Sequence, residues 1–260
     1  MAANHGPNMT LFNERSNAAM ETATGPPAIA MLTQAGLLPA PPPNAVILDN
    51  ACGAGGVGAR FFERANIGEE GKFLCGDLQE NMVKSTEERI AKYGWKAEAR
   101  VLDAHDLPFG ESEFTHTLMC FGPQLMKDPI QALREMKRVL RPHGTLGFTC
   151  WISAGWYPTM RTIVPDFAYP PPMAGNWTKS EYIQSALLDL GFEEVKLATL
   201  DFTAEEKDVE ALIEIQHVLF AKVLTGEVGE RHDAYLREEA AREGGIVWKW
   251  QALIVTAKKP

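Results

Sequence analysis

The chain has no dense run of lysine and arginine. A surface that neutralises several phosphates needs such a run, so a DNA or RNA partner is disfavoured. The overall balance points the same way, because 25 Lys and Arg stand against 34 Asp and Glu for a formal net charge of -9. That acidity also works against attraction to an anionic membrane surface. Long hydrophobic runs are missing too: no stretch approaches the roughly 18 consecutive apolar residues that a spanning helix needs. Cysteines are few and scattered, and Cys52, Cys75, Cys120 and Cys150 make no C-x-x-C pair. Their spacing suggests neither a zinc site nor a disulfide framework, and their apolar settings fit small buried hydrophobes in a reducing compartment. Met1 to Thr10 lacks the charged start, apolar stretch and cleavage site of a secretory signal. These absences together describe a soluble, cytoplasmic protein without a membrane partner.

What is present is ample core material: 45% of the 260 residues are hydrophobic, enough for one large α/β domain carrying an added cap. From Val46 to Trp151 short apolar runs alternate with amphipathic stretches, the pattern of a parallel sheet with helices on both faces. The runs are Val46 to Asn50, Lys72 to Asp77, Ala99 to Leu102, Phe114 to Phe121 and Thr145 to Trp151. Between them we read helices over Val57 to Ala65, Glu80 to Tyr93 and Ile130 to Leu140. Gly94 ends the second helix and Arg141-Pro142-His143-Gly144 the third.

Residues 1–45 read as a helical lid, with a helix over Ala18 to Gly36 and a stiff Pro39 to Pro43 hinge before the first strand. Residues 46–260 form the main domain, with cap insertions at about 152–178 and 203–245. The first insertion is rich in Trp156, Tyr157, Phe167, Tyr169 and Pro170 to Pro172. A helix over Lys179 to Leu190, an extended stretch over Glu193 to Phe202, a helical insertion over Ala204 to Arg242 and a last strand over Ile246 to Ala257 complete the chain.

The sharpest signal is Val46-Ile47-Leu48-Asp49-Asn50-Ala51-Cys52-Gly53-Ala54-Gly55-Gly56-Val57-Gly58, an apolar strand that runs through an acid into a glycine-rich turn and a helix. Such a turn lets backbone approach a nucleotide-like ligand closely. Gly53 to Gly58 also fits the dinucleotide fingerprint literally, so the turn alone does not choose between ligands. The next strand ends in Asp77, placed to hydrogen-bond a ribose diol, at about 1.5–3 kcal/mol for a charged acceptor. Further blocks follow at Leu102-Asp103-Ala104-His105, at Cys120-Phe121-Gly122-Pro123-Gln124 and at Leu133 to Leu146. A nicotinamide-dependent dehydrogenase is the weaker reading of this turn, because the family resemblance carried by Asp49 and the Asp103 block favours a methyl donor.

In this order and spacing the blocks resemble the class I S-adenosylmethionine-dependent methyltransferases, over roughly Val46 to Trp151. The later blocks look like the ubiquinone-biosynthesis branch of that family. Leu48-Asp49-Asn50-Ala51-Cys52-Gly53, Cys75-Gly76-Asp77-Leu78 and Ser180 to Ser185 with Leu190-Gly191-Phe192 are similar to fungal small-molecule methyltransferases of the gliotoxin S-methyltransferase type. The resemblance implies an α/β Rossmann-like sheet, S-adenosylmethionine as cofactor with S-adenosylhomocysteine as product, a small-molecule acceptor methylated on sulfur, oxygen or nitrogen, and a place in secondary metabolism. It also implies site residues. Asp49, Ala51 and Gly53 would lie at the amino-acid end of the cofactor, Asp77 on the ribose, and Leu78 and Met82 beside the adenine. Asp103 would accept from the adenine amino group with Ala104 and His105 close by, and Cys120, Phe121 and Gln124 would line the methyl-bearing side.

Two departures from the family pattern stand out. Ala51 replaces the first glycine of the turn, and Thr115-His116 stands where an acid often follows the phenylalanine.

Methyl transfer is an in-line displacement at a sulfonium, in which alignment of the reacting atoms contributes at most about 7–11 kcal/mol. No metal is expected, because Met119-Cys120-Phe121-Gly122 offers no carboxylate of the kind used by metal-dependent catechol-type relatives. Trp151, Trp156, Tyr157 and Trp177 are candidates to clasp a flat acceptor, or else to pack as ordinary core. His217, in an apolar helix, is a candidate base or acceptor contact, its ordinary pKa near neutrality being its credential. A fold does not fix a chemistry, so a cofactor-binding regulatory subunit or a cofactor-assisted rearrangement enzyme stands as the alternative.

Overall fold

The computed structural model describes residues 13–168 and 175–260. The readings made on Met1 to Thr10, Tyr169 and Pro170 to Pro172 lie outside the described residues.

Among the described residues, seven strands form one sheet. They are β1 (Val46–Asn50), β2 (Lys72–Asp77), β3 (Glu98–Val101), β4 (Phe114–Cys120), β5 (Leu140–Ser153), β6 (Glu193–Glu206) and β7 (Ile246–Lys258). The spatial order is β3-β2-β1-β4-β5-β7-β6. β1 pairs in parallel with β2 and β4, β2 with β3, and β4 with β5. β7 is antiparallel to both of its neighbours. The parallel part is the sheet that the alternating pattern implies, the whole is the α/β Rossmann-like arrangement that the resemblance implies, and the strand order reverses between β1 and β4.

The helices are α1 (Glu14–Gln34), α2 (Gly56–Phe62), α3 (Glu80–Tyr93), α4 (Pro129–Val139), α5 (Tyr157–Ile163), α6 (Ser180–Asp189), α7 (Val209–Leu219) and α8 (Gly226–Glu243). Their ends follow local chemistry. Asp128 caps α4 by accepting from Gln131 N at 3.0 Å, and Pro129 fills the first turn, where its missing N–H costs nothing. Asp208 caps α7 in the same way through Ala211 N at 3.1 Å. Asn13 and Ser16 cap α1 reciprocally.

Two layers cover the sheet. On one face Met31 and Leu32 of α1 and Val57 and Phe61 of α2 pack on Ile47, Phe73, Leu118 and Ile254. On the other, Leu133 and Met136 of α4 and Ile183 and Leu187 of α6 pack on Met119, Leu146, Phe148 and Val255. Each such side chain contributes about 1.5–3 kcal/mol by burial. A third cluster joins Trp156, Met160 and Phe167 to Phe220, Leu224 and Trp250, and ties the cap to the sheet edge.

Several boundaries differ from the sequence reading. Arg141 to Gly144, read as a helix stop, lie within β5, where His143 takes a φ of 61° and its N–H donates to Lys259 O at 2.8 Å. The polar turn is held by pairing with the chain's end, a long-range contact that local composition does not reveal. β6 extends to Glu206, so the helical insertion begins at Val209 and divides into α7 and α8. α1 runs unbroken through Pro26 and Pro27. Among the described residues no helix is long and apolar enough to cross a membrane.

Candidate active site

The point where strand order reverses, at the carboxyl ends of β1 and β4, is where open α/β sheets hold ligands. Asp49 and Asn50 end β1 there, both buried. After them the chain turns through Ala51, Gly53 and Gly55, with φ of 57°, 55° and 80°, before entering α2. Left-handed backbone costs an alanine roughly 1–2 kcal/mol, so the departure at Ala51 is accommodated at the expense of local strain. The turn is held from below and beside. Cys52 N donates to Gly76 O at 2.9 Å, and Gly53 N to Asp77 Oδ2 at 2.9 Å. The buried Thr86 of α3 donates to Gly53 O at 3.0 Å.

Asp49 is 0% exposed, and neither of its carboxylate oxygens has a hydrogen-bond partner. Both polar atoms of the Asn50 side chain are also buried and unpartnered. Buried polar groups without partners are rare and buried unpaired charges rarer, which makes this a place prepared for a cationic, hydrogen-bonding guest. Burial first, and then the neighbouring Asp77, push the Asp49 carboxyl well above its ordinary range. Asp77 closes the site from β2. Burial also raises its pKa, against the opposing pull of the Gln79, Gly53 and Leu78 amides. Its Oδ1 accepts from Gln79 N at 3.0 Å, which anchors the start of α3.

Met82, buried, faces Ala19 of α1 and Ala211 and Ile215 of α7, while Leu78 stands 57% exposed at the rim. Asp103 lies beyond them. Burial works to raise its pKa, but the backbone N–H and ring of His105 outweigh it and hold the carboxyl low. Those two contacts, 2.9 and 2.8 Å, both fall on Oδ1. Ala104 is buried against Met119, in the cluster that Ala51 also touches.

At the end of β4, burial pushes the Cys120 thiol up to about 12. Phe121 takes a φ of 61°, donates its N–H to Thr149 Oγ1 at 3.0 Å and stacks on Trp151 with centroids 3.8 Å apart. Gln124 is buried and brackets the Trp151 backbone, accepting from Trp151 N at 2.5 Å and donating to Trp151 O at 3.0 Å. Its amide is committed to positioning the Phe121–Trp151 pair.

The aromatic candidates do not converge as one clasp. Trp151, Trp156 and Tyr157 share the cap cluster. Trp177 lies in the cluster of the α4 and α6 face, against Phe148 and Tyr182. His217 sits between α7 and α8 with Nε2 2.7 Å from Asp233 Oδ1. The sequence reading missed Glu21. This acid on α1 accepts from Arg60 of α2 at 2.8 Å and from Arg89 of α3 at 2.5 Å. Arg89 also donates to Ala54 O of the turn at 2.9 Å, so α1 is clamped over the glycine bend. Only the pairing of an isolated acid with two distant arginines carries this feature, and no local motif marks it. The departure at Thr115-His116 is structural: Thr115 Oγ1 bonds both N–H and C=O of Val46, at 2.9 and 3.0 Å, and His116 is buried.

Residues 47–144 match a family described as a methyltransferase domain. Methyltransferase tpcH of Aspergillus fumigatus is 28% identical over 259 residues, covering 90% of this chain and 91% of the relative. The acetylaranotin bis-thiomethyltransferase of Aspergillus terreus is 25% identical over 264 residues, 92% of each chain. Among solved structures, phosphoethanolamine N-methyltransferase 2 of Haemonchus contortus, in complex with S-adenosyl-L-methionine, is similar with a TM-score of 0.56 at 16% identity, over 90% of this chain and 52% of that one. That last likeness bears on the fold.

Proposed function

Given that this chain belongs to the class I S-adenosylmethionine-dependent methyltransferases, we propose that it methylates a small organic acceptor, with a thiol as the first class to test. The observation that carries the site assignment is the buried, unpartnered Asp49 beside Asp77 under the glycine bend. S-adenosylmethionine, when bound, supplies a methyl group activated on a sulfonium.

The chain's own residues then have these parts. Asp49, with Asn50 behind it, receives the ammonium of the cofactor's amino-acid end, and Ala51 and Gly53 bring backbone close to it. Asp77 accepts from the ribose hydroxyls, Leu78 and Met82 flank the adenine, and Asp103 accepts from its amino group beside Ala104 and His105. Cys120 and Phe121 border the methyl-bearing side, and Gln124 acts there through Trp151. α1 contributes the lid, and α5, α7 and α8 the cap over the acceptor, with Trp151, Trp156 and Tyr157 toward it. Trp177 lies with the opposite cluster, so it braces that face.

A thiol acceptor with an ordinary pKa near 8.5 supplies its own thiolate and asks for no base. That suits a site in which Cys120 is held protonated by burial and His217 has its Nε2 on Asp233. The name of one fungal relative includes thiomethylation, which supports the same choice. The test is incubation with methyl-labelled cofactor and a panel of thiols, phenols and amines, read by mass spectrometry. Labelled thioether with stoichiometric S-adenosylhomocysteine is the expected result. Cofactor bound but left intact with every acceptor would overturn the reading.

A further inference from the structure

The cap contains ligating side chains that methyl transfer leaves unused. His217 on α7 and His232 and Asp233 on α8 each offer one ligand atom, and these atoms lie within 4.8 Å of one another. Asp233 Oδ1 is 2.7 Å from His217 Nε2 and 2.9 Å from His232 Nδ1. The other ring nitrogen of His232, Nε2, is 2.8 Å from Gln216 Oε1. His232 and Gln216 are both buried, and Gln216 Nε2 has no partner.

Proton bookkeeping makes this cluster unusual. Both nitrogens of the His232 ring face oxygen atoms, yet a neutral imidazole carries one N–H. A second proton would place an imidazolium in a fully buried position. Turning the Gln216 amide about would give Nε2 a donor and exchange one unpartnered amide atom for another, which satisfies the ring but leaves His217 and His232 sharing a single oxygen of Asp233. A cation also satisfies the ring, and it alone engages the three converging ligand atoms together. Nδ1 of His232 then offers its lone pair, and Nε2–H donates to Gln216 Oε1, the outer-shell carbonyl contact that metal-bound histidines commonly make.

We propose that His217, His232 and Asp233 form a site for a divalent cation of the zinc class that clips α7 to α8. Two imidazoles and one carboxylate suit zinc rather than magnesium or calcium, which prefer oxygen donors throughout. Zinc bonds of about 2.0–2.2 Å in a tetrahedron set ligand atoms about 3.3 Å apart, with the fourth position left for water. The two spacings to Asp233, 2.7 and 2.9 Å, are hydrogen-bond contacts that open by about half an ångström on taking up the ion, and His217, whose side chain is 37% exposed, is the least buried of the three and adjusts most readily. The clip lies on the far side of α7 from Ala211 and Ile215, which pack on Met82. It therefore fixes the helix that covers the cofactor cleft and takes no part in the transfer itself.

The experiment uses the full chain, stripped with a chelator, dialysed and titrated with zinc chloride, cobalt chloride or magnesium chloride. Metal content is read by plasma mass spectrometry and site symmetry by the cobalt absorption spectrum. The proposal expects one equivalent of zinc per chain, a tetrahedral cobalt spectrum, no magnesium uptake and a zinc-dependent rise in Tm. His217→Gln and Asp233→Asn, with circular dichroism unchanged, weaken zinc binding roughly tenfold or more and abolish the Tm rise. Wild-type protein that holds no zinc above background overturns the proposal. So does His217→Gln binding zinc as tightly as wild type, or magnesium competing with zinc on equal terms.

Discussion

Replacing Asp49 by asparagine moves stability and affinity in opposite directions. The side chain is fully buried at the end of β1 without a hydrogen-bond partner, and its pKa is raised by burial and by Asp77. A carboxylate whose folded pKa lies above its unfolded one subtracts from stability as the pH climbs through that folded value. At neutral pH the empty protein therefore carries the penalty of a buried carboxyl whose ionised form burial disfavours, and the isosteric Asp49→Asn removes it. A gain of about 1 kcal/mol or more is expected, since unpaired buried charge is among the costliest features of a fold. For a chain of this size that raises Tm by roughly 2–4 °C per kcal/mol.

In the complex the sign reverses. Removing one partner from a buried charge pair costs about 3–5 kcal/mol. That is roughly two to three and a half decades in Kd. Differential scanning calorimetry of the empty protein and isothermal titration with S-adenosylhomocysteine read the two effects separately. A variant less stable than wild type that binds with unchanged affinity would refute the reasoning, because Asp49 would then be serving the fold and not the ligand.

Other substitutions probe the surrounding parts. Asp77→Ala removes the ribose acceptor together with the contacts to Gly53 N and Gln79 N. One charged hydrogen bond of about 1.5–3 kcal/mol corresponds to roughly 10- to 150-fold in calorimetric affinity, and an unchanged Kd would dismiss the assignment. Glu21→Ala leaves Arg60 and Arg89, both partly buried, without their shared acid. Allowing for that partial solvation, we expect about 1–2 kcal/mol of lost stability and a Tm lower by about 2–8 °C. Cofactor affinity falls with it, because Arg89 also holds Ala54 O, whereas Arg15→Ala, which breaks an exposed ion pair to Asp208, changes little. Burial and the nearby Lys258 depress the His116 pKa to about 4. The unfolded chain binds the proton first, so stability drops by about 3 kcal/mol as the pH falls from about 6.5 to about 4. His116→Gln flattens that part of the urea-denaturation pH profile, and a profile unaltered by the substitution would contradict the account.

The parallel core was legible because each strand carries its own signature. Val46 to Asn50 and Lys72 to Asp77 are apolar runs with an acid at or next to their ends, and Gly94 marks a helix end through local chemistry. Asp49, Asp77 and the turn between β1 and α2 were visible for the same reason, and the structure brings them together at the carboxyl ends of β1 and β2. What local sequence could not supply were features made by distant partners. Arg141 to Gly144 look like a turn until Lys259 pairs with His143 and Gly144. Glu21 looks like a surface acid until α2 and α3 bring Arg60 and Arg89 to it. Gln124 enters through the family resemblance, and its hydrogen bonds to the backbone of Trp151, 27 residues away, are a contact that local sequence does not show. His217 has the same history, since its partner Asp233 belongs to another helix.

The most direct measurement is a crystal structure of the chain with S-adenosylhomocysteine bound. The account predicts the ligand's amino group within hydrogen-bond distance of Asp49 Oδ1 or Oδ2 and its ribose hydroxyls on Asp77. A nucleoside seated elsewhere, with the Asp49 carboxylate still unpartnered beneath the glycine bend, would contradict it.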